Sequence, residues 1–107
     1  MIDLAKITGF DWDDGNARKN QKHEVSTAES EQLSFNAPLL LLADVKHSDR
    51  ESRFHALGKT DQGRLLHIAF TLREAGATIR VISARDMHRK ERVIHEQAAE
   101  SRAEIRQ

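Results

Sequence analysis

The chain has 107 residues and a formal net charge of zero, with 32% charged and 38% hydrophobic residues. This size and balance are typical of one globular domain with a single modest core. Because the chain has no cysteine, disulfide frameworks, thiolate nucleophiles and cysteine-based zinc sites are excluded. The longest apolar run, 39–43, is far shorter than the about 20 residues of a membrane span, and residues 1–10 lack a signal-peptide core. We therefore expect a single domain over residues 1–107 that acts in the cytoplasm.

The charges are distributed unevenly along the chain. Residues 1–51 hold 10 acidic and 6 basic side chains, whereas residues 52–107 hold 7 acidic and 11 basic ones. In the second segment arginine outnumbers lysine nine to two. Guanidinium groups bind phosphates and carboxylates with two parallel hydrogen bonds. The segment therefore indicates either a phosphate or nucleic-acid ligand or an acidic protein partner.

The chain begins with a predicted strand and a predicted polar helix. Phe10 and Trp12 alternate with acidic residues, which is typical of a half-buried strand over residues 8–13. An aspartate at the end of this strand can cap a short helix that extends to about Lys22. We expect Trp12 to pack in the core, since a lone tryptophan on a strand usually does.

A second short helix is predicted over residues 27–35. Ser26 and Glu29 have the spacing of a capping box, in which each side chain binds a free amide at the start of the helix. Pro38 ends this helical region, because proline disfavours helical backbone at the preceding residue.

Four strands joined by short turns follow, and they predict an antiparallel meander. Their predicted ranges are 39–45, 52–58, 64–73 and 78–85. The first is a continuous apolar run, typical of a strand buried on both faces. In the third, apolar residues alternate with polar ones, which indicates that one face packs on the core.

The chain ends in a predicted charged helix over residues 88–106, with few apolar anchors such as Val93 and Ile94. Its apolar content falls past about Gln97, so we expect residues 97–107 to form a mobile or partner-dependent end. The predicted fold class is α+β, with an N-terminal strand, two short helices, a four-stranded meander and a C-terminal helix.

The six histidines do not have the spacing of a metal site. No two are four residues apart, and Ala99 stands where the zinc motif that could open at His95 needs its second histidine. The chain also lacks the glycine-rich loop of phosphate-binding folds and the strand–turn–helix motif of a nucleophilic serine. We therefore expect no metal and no cofactor.

Five arginines lie on or beside predicted neighbouring strands, and they are Arg53, Arg64, Arg73, Arg80 and Arg85. Strand alternation places Arg73 on one face with His67 and Thr71. Arg80 lies among apolar residues, where an unpaired charge is costly. Such a set can stabilise the charge of a reacting phosphate while histidines transfer protons. Alternatively, the arginines form ion pairs with carboxylates on neighbouring strands.

Short motifs follow one another in a fixed order through residues 9–96. They comprise Phe10-Asp11-Trp12-Asp13, Asn20, Lys22-His23, Val25-Ser26, His47, Glu51, Arg53, Gly58, Arg64, Thr71-Leu72-Arg73, Ile79-Arg80-Val81-Ile82-Ser83-Ala84-Arg85 and Glu91-Arg92. In these motifs the chain resembles the BrnT toxin family of type II toxin–antitoxin systems. It departs from the family at Glu24, where glycine is usual, and at His95, where an aromatic residue is common.

The resemblance implies a fold similar to that of RelE-type ribonuclease toxins and an activity that cleaves RNA and blocks translation. In such toxins the 2′-hydroxyl attacks the adjacent phosphate without a metal. The resemblance further implies a cognate antitoxin of the ribbon-helix-helix class, assembled with the toxin in a heterotetramer. DNA would then be bound only through the antitoxin, and no membrane is involved.

The predicted roles follow from this chemistry. Arg80 and Arg73 would stabilise the phosphate, and three further arginines would hold the RNA, namely Arg53, Arg64 and Arg85. The proton-transfer candidates are His23, His47 and Lys22, with His67 as a secondary one, whereas His55 and His88 are predicted to be surface residues. Two other functions stay open, a catalytically inactive interaction module and a metal-dependent phosphodiesterase. Metal-free RNA cleavage would separate the ribonuclease toxin from both.

Overall fold

The computed structural model describes residues 6–21, 23–44, 46 and 51–106. Within these residues the chain forms five strands and three α-helices. They follow one another in the order that the sequence predicts, namely one strand, two helices, four strands and a C-terminal helix. The elements are β1 (Gly9–Phe10), α1 (Asp14–Gln21), α2 (Thr27–Gln32), which continues as a 3-10 turn (Leu33–Phe35), β2 (Leu40–Asp44), β3 (Arg53–Lys59), β4 (Leu65–Arg73), β5 (Thr78–Asp86) and α3 (Arg89–Arg106). In the described part of the chain, no helix has both the length and the apolar character that crossing a membrane requires.

The strands form one mixed sheet in the order β1-β5-β4-β3-β2. The predicted antiparallel meander is present as β2 to β5, and the α+β class is confirmed. The sheet has one strand more than the predicted four-stranded meander, because the predicted N-terminal strand pairs with it, as β1 in parallel beside β5. This pairing is extended by backbone hydrogen bonds from Thr8 to Ala77 and from Asp11 to Ile79. The similarity to RelE-type toxins stays a prediction.

The strand β2 lies at an edge of the sheet, which corrects its predicted burial on both faces. Its Leu42 side chain is 53% exposed. A continuous apolar run does not by itself show whether a strand is central, since only pairing on both sides does that. An apolar edge strand leaves backbone groups open to a further chain.

The two N-terminal helices begin with side-chain caps. Asp13 and Asn16 exchange hydrogen bonds between side chain and backbone, at 2.7 and 3.0 Å, and thereby end the first strand earlier than predicted. The Asn16 amide also donates to the carbonyl of Val81, so the cap holds α1 against β5. The predicted capping box of α2 is confirmed, with both Ser26–Glu29 hydrogen bonds at 3.1 Å.

The core lies between α2 and one face of the sheet. It consists of Val25, Leu33, Ala56, Leu66, Ile68, Phe70, Val81 and Ala84. Trp12 packs against this cluster, as predicted, and its indole N–H donates to the Glu31 carboxylate at 2.7 Å. Leu66, Ile68, Phe70 and Leu72 of β4 face this side, because strand side chains alternate.

The helix α3 covers part of the opposite face, but not through the apolar anchors that the sequence suggests. Val93 and Ile94 are exposed, and the buried residue is His95, whose Nε2 lies 2.9 Å from the carbonyl oxygen of Pro38. A polar contact therefore replaces apolar packing there. The expected mobility of residues 97–107 stays a prediction, and α3 runs through Arg106.

Candidate functional site

Most of the predicted arginines lie on the sheet face opposite the core. Directly opposed residues of antiparallel strands share a face. Thr71 is opposite Arg53 on β3 and Arg80 on β5, and His67 is opposite Arg85. We call this surface the polar face and define it by Asp44, Arg53, His55, His67, Thr71, Arg73, Arg80 and Arg85.

A β-bulge places Arg80 and Arg85 on the same face. The two residues are an odd number of positions apart, so regular alternation would point them to opposite sides of the sheet. The pairing passes from Phe70–Val81 to Ala69–Ser83 and leaves Ile82 as the extra residue. Such an extra residue reverses the alternation beyond it. The bulge therefore joins both arginines to the polar face.

Two histidines form a direct hydrogen bond in the middle of the polar face. His55 Nδ1 lies 2.6 Å from His67 Nε2, and the other ring nitrogen of His55, Nε2, lies 2.7 Å from Asp44 Oδ2. The two rings meet edge to face, with centroids 4.6 Å apart. We call His55 and His67 the imidazole pair. Asp44 therefore fixes the orientation of one member through a charge-assisted hydrogen bond.

His67 is the buried member of this pair. Its side chain is 7% exposed, and its Nδ1 is buried with no hydrogen-bond partner among the residues that the structure describes. Burial, followed by the positive charge of Arg85, lowers the pKa of His67 to about 4, despite the opposing effect of Glu91. The imidazole of His67 is therefore neutral at pH 7.

Glu91 at the start of α3 binds both the helix and the sheet. Its carboxylate accepts hydrogen bonds from both terminal nitrogens of Arg85, at 2.7 and 3.0 Å, and from the backbone N–H of His88 at 2.8 Å. Burial acts to raise the pKa of Glu91, but these hydrogen bonds and the neighbouring positive charge outweigh it and lower the pKa to about 2. Glu91 thus holds Arg85 beside His67 at neutral pH.

Arg80 and Arg73 also have carboxylate partners. Arg80 lies 2.6 Å from Asp13 and 3.3 Å from Asp11, and Arg73 lies 3.2 Å from Glu51. The hydrogen bond from the backbone of Asn16, followed by the bond from Arg80, lowers the pKa of Asp13. The expected ion pairs are therefore present, but their carboxylates lie beside the strands and not on them. The exposure of these carboxylates leaves the pairs open to exchange with another anion.

Arg64 and His23 lie away from the polar face. Arg64 precedes β4 at the end where Leu66 is opposite Asp86, and it binds that carboxylate at 2.8 and 3.1 Å. It also donates to the carbonyl oxygens of His23 and Glu24. The structure therefore places Arg64 and His23, two of the predicted site residues, apart from the arginines of the polar face. Lys22 and His47 lie outside the described residues.

The turn that Arg64 binds has a backbone conformation at Glu24 that favours glycine. The φ angle of Glu24 is 57°, in the left-handed region that favours glycine. A residue with a Cβ adopts this conformation at a cost of about 1 kcal/mol. The bond from Arg64 to its carbonyl oxygen, at 2.8 Å, holds the strained turn in place.

Replacing Glu24 by glycine is therefore expected to raise the free energy of unfolding by about 0.5–1 kcal/mol. The gain comes from relief of the left-handed strain, since the carbonyl that Arg64 binds is kept. Urea unfolding of Glu24→Gly beside Glu24→Ala measures it, and the alanine variant should show no such gain. Equal stability of the two variants would contradict the argument.

His55 is the functional candidate that the sequence prediction missed. It was expected to be a surface residue, like His88, which is indeed exposed. Instead both of its ring nitrogens are hydrogen-bonded. Strand alternation carries a usable signal, because His55 is two residues from Arg53 and must share its face.

Comparison with known proteins identifies one family that matches the segment carrying these arginines and histidines. Residues 12–91 match the family described as "Ribonuclease toxin, BrnT, of type II toxin-antitoxin system". The match includes the arginines of the polar face and the imidazole pair. No curated protein matches the chain. Since the matched segment covers most of the 107 residues, the chain belongs to the BrnT family of ribonuclease toxins of type II toxin–antitoxin systems.

Proposed function

We propose that this protein is a metal-independent endoribonuclease that acts in the cytoplasm and inhibits translation and growth. The observation that carries the proposal is the polar face, where four arginines and the imidazole pair share one side of the sheet. A ribbon-helix-helix antitoxin, in a heterotetramer with the toxin, would neutralise it and supply any DNA binding. Family membership supports the ribonuclease class and an antitoxin partner.

The proposed reaction needs a base, a source of protons and positive charge. The 2′-hydroxyl of RNA loses its proton and forms a bond to the adjacent phosphorus, while the bond from phosphorus to the 5′-oxygen breaks and that oxygen takes up a proton. Negative charge collects on the phosphoryl oxygens in the transition state. Guanidinium groups placed beside those oxygens lower the barrier, and imidazoles transfer protons near neutral pH.

Phosphate binding by the arginines requires that they exchange carboxylate partners. The Arg73–Glu51 pair is nearly half exposed, so its exchange for a phosphate costs little. Arg80 is one-quarter exposed, and its partners Asp11 and Asp13 are more exposed than it is. We therefore assign phosphate stabilisation to Arg80 and Arg73.

The remaining candidates take supporting roles in the proposal. Arg85 is held by two hydrogen bonds to a part-buried Glu91, so it contributes positive charge from a fixed position beside the RNA. Arg53 on β3 and Arg80 on β5 lie on either side of Thr71 on β4, so Arg53 would extend the phosphate site. Arg64 as an RNA contact, and His23, His47 and Lys22 as proton-transfer groups, stay predictions.

RNA cleavage by the purified protein is expected to continue in EDTA and to leave a 2′,3′-cyclic phosphate and a 5′-hydroxyl. These ends follow because the 2′-oxygen is the nucleophile. Electrophoresis and mass spectrometry of the products from a defined RNA measure both points. An RNA with a single 2′-deoxynucleotide at the cleaved position is the control and should resist cleavage. Activity that stops in EDTA and returns with a divalent ion would contradict the proposal.

A second candidate function, a catalytically inactive interaction module, is favoured by two other observations. Arg64, Arg73, Arg80 and Arg85 already have carboxylate partners in the chain. An apolar groove of about 440 Å³ lies on the other side of the sheet, and its lining includes Phe35, whose side chain is 84% exposed. The same RNA assay separates the two functions, because a folded interaction module cleaves nothing.

A further inference from the structure

We propose that His55 is the general base of RNA cleavage, with Asp44 and His67 as its positioning residues. The inference rests on the proposed ribonuclease function and names the group that takes the proton of the 2′-hydroxyl. It comes from the contacts of three side chains of the polar face.

Exposure singles out His55 within the imidazole pair. The His55 side chain is 33% exposed, whereas that of His67 is 7% exposed and that of Asp44 is 12% exposed. RNA bound on the polar face can therefore reach the imidazole of His55 but not the buried imidazole of His67. A base must contact the proton that it removes, either directly or through one water.

The hydrogen bonds of the pair determine where its protons lie. The Asp44 carboxylate can only accept, so His55 Nε2 carries the proton of the bond between them. In the neutral ring, His55 Nδ1 is then unprotonated and accepts a hydrogen bond from His67 Nε2. His67 Nδ1 is left unprotonated and has no partner in the described part of the chain, which costs less than a buried N–H without a partner. The lone pair of the His55 ring that can accept a proton therefore lies on Nδ1, where the N–H of His67 binds it.

Strand register places this nitrogen among the phosphate-binding groups. Along β3, His55 is two residues from Arg53, and across β4 its row ends at Ser83 on β5. Arg80 lies in the neighbouring row with Arg53, and Arg85 lies in the row of His67. Neighbouring rows of opposed residues on the same face are about 7 Å apart. This spacing is roughly the distance from a ribose 2′-hydroxyl to a group that binds the oxygens of the adjacent phosphate.

The proposed step exchanges one hydrogen-bond partner for another. The 2′-hydroxyl replaces the His67 N–H at His55 Nδ1 and gives its proton to that nitrogen as its oxygen bonds to phosphorus. The 5′-oxygen leaves with the electron pair of the broken bond and takes a proton from water, and His55 returns its proton to the resulting hydroxide. Asp44 stabilises the imidazolium that forms, as a carboxylate does in other histidine-centred sites.

The test compares His55→Gln with His88→Gln in the full-length protein, using a defined RNA in EDTA. His88 is the matched control, since its side chain is exposed and outside the polar face. We expect His55→Gln to lose about 10²–10⁴-fold in kcat with little change in KM, and His88→Gln to stay near the wild-type rate. If a general base acts, the cleavage rate of the wild type should rise with pH. This rise should be absent from His55→Gln and present in His88→Gln.

Two further measurements distinguish a base from a structural histidine. Imidazole added to His55→Gly should restore part of the activity, and a substrate with sulfur as the leaving atom should not rescue His55→Gln. Asp44→Asn should slow cleavage while the protein stays folded. If the His55 variants do not fold, the cleavage rate of Asp44→Asn tests the inference in their place. Cleavage by folded His55→Gln at the His88→Gln rate overturns this inference alone. Absence of cleavage by the wild-type protein overturns the proposed function and this inference with it.

Discussion

Arg80→Ala is expected to reduce metal-free RNA cleavage by about 10²–10³ and to abolish growth inhibition, while the protein stays folded. The guanidinium of Arg80 lies on the polar face in the same row as Arg53, where it can meet the charge that develops on the phosphate. Its ion pairs with Asp11 and Asp13 are exposed on the carboxylate side, so their loss should cost less than about 1 kcal/mol of stability. Single-turnover cleavage and thermal unfolding measure the two effects.

Asp13→Asn is the control that separates a phosphate ligand from a structural ion pair. An asparagine at this position keeps the side-chain oxygen that caps α1 but removes the negative charge that holds Arg80. We expect cleavage by Asp13→Asn to equal or exceed that of the wild type. A fall as large as that of Arg80→Ala, or unchanged cleavage in folded Arg80→Ala, would refute the assignment.

The protein is expected to lose about 2–3 kcal/mol of unfolding free energy between pH 6.5 and pH 4 through His67 alone. The pKa of His67 is about 4 in the folded chain, against its ordinary value of 6.5. Below pH 6.5 the unfolded chain therefore binds a proton that the folded chain refuses, and stability falls as pH falls until the folded imidazole also titrates. Arg85, Glu91 and His55 are the charged or titratable groups that act on it.

Urea unfolding at several pH values measures this loss in the wild type and in His67→Gln. The variant should lack the decrease between pH 6.5 and 4, whereas His88→Gln should keep it. Glu91 contributes in a separate window, because its lowered pKa of about 2 gives stability that is lost only as pH falls below about 4.5. An unchanged decrease in His67→Gln would contradict the assignment of this acid sensitivity to the buried imidazole.

The parts of the fold that depend on local sequence could be predicted. The capping box at Ser26 needs only two residues three positions apart, and in β4 the large apolar side chains recur at every second position from Leu66 to Leu72. Alternation also predicts that Arg73 shares a face with His67 and Thr71, because it follows directly from strand geometry. Family motifs supplied the ribonuclease class, which periodicity does not contain.

The parts that depend on pairing between strands could not be predicted. The bulge at Ile82 has no marker in the sequence, yet it determines that Arg80 and Arg85 share a face. The contact of His55 with His67 needs the register of β3 against β4, which a single sequence does not give. The carboxylate partner of Arg80, Asp13, is 67 residues away in the chain.

The two-residue strand β1 has a consequence for the availability of Arg80. Few backbone hydrogen bonds hold this segment to β5, among them those of Thr8 and Asp11, whereas β5 is paired with β4 along nearly its whole length. Segments with so few bonds open at a lower free-energy cost than the rest of the domain. Opening of β1 would loosen the hold of Asp11 and Asp13 on the guanidinium while the meander stays intact. Besides direct exchange of the exposed carboxylates, we therefore expect local unfolding of the N-terminal segment to release Arg80 for a phosphate, and RNA that captures the opened form would shift that equilibrium in its own favour.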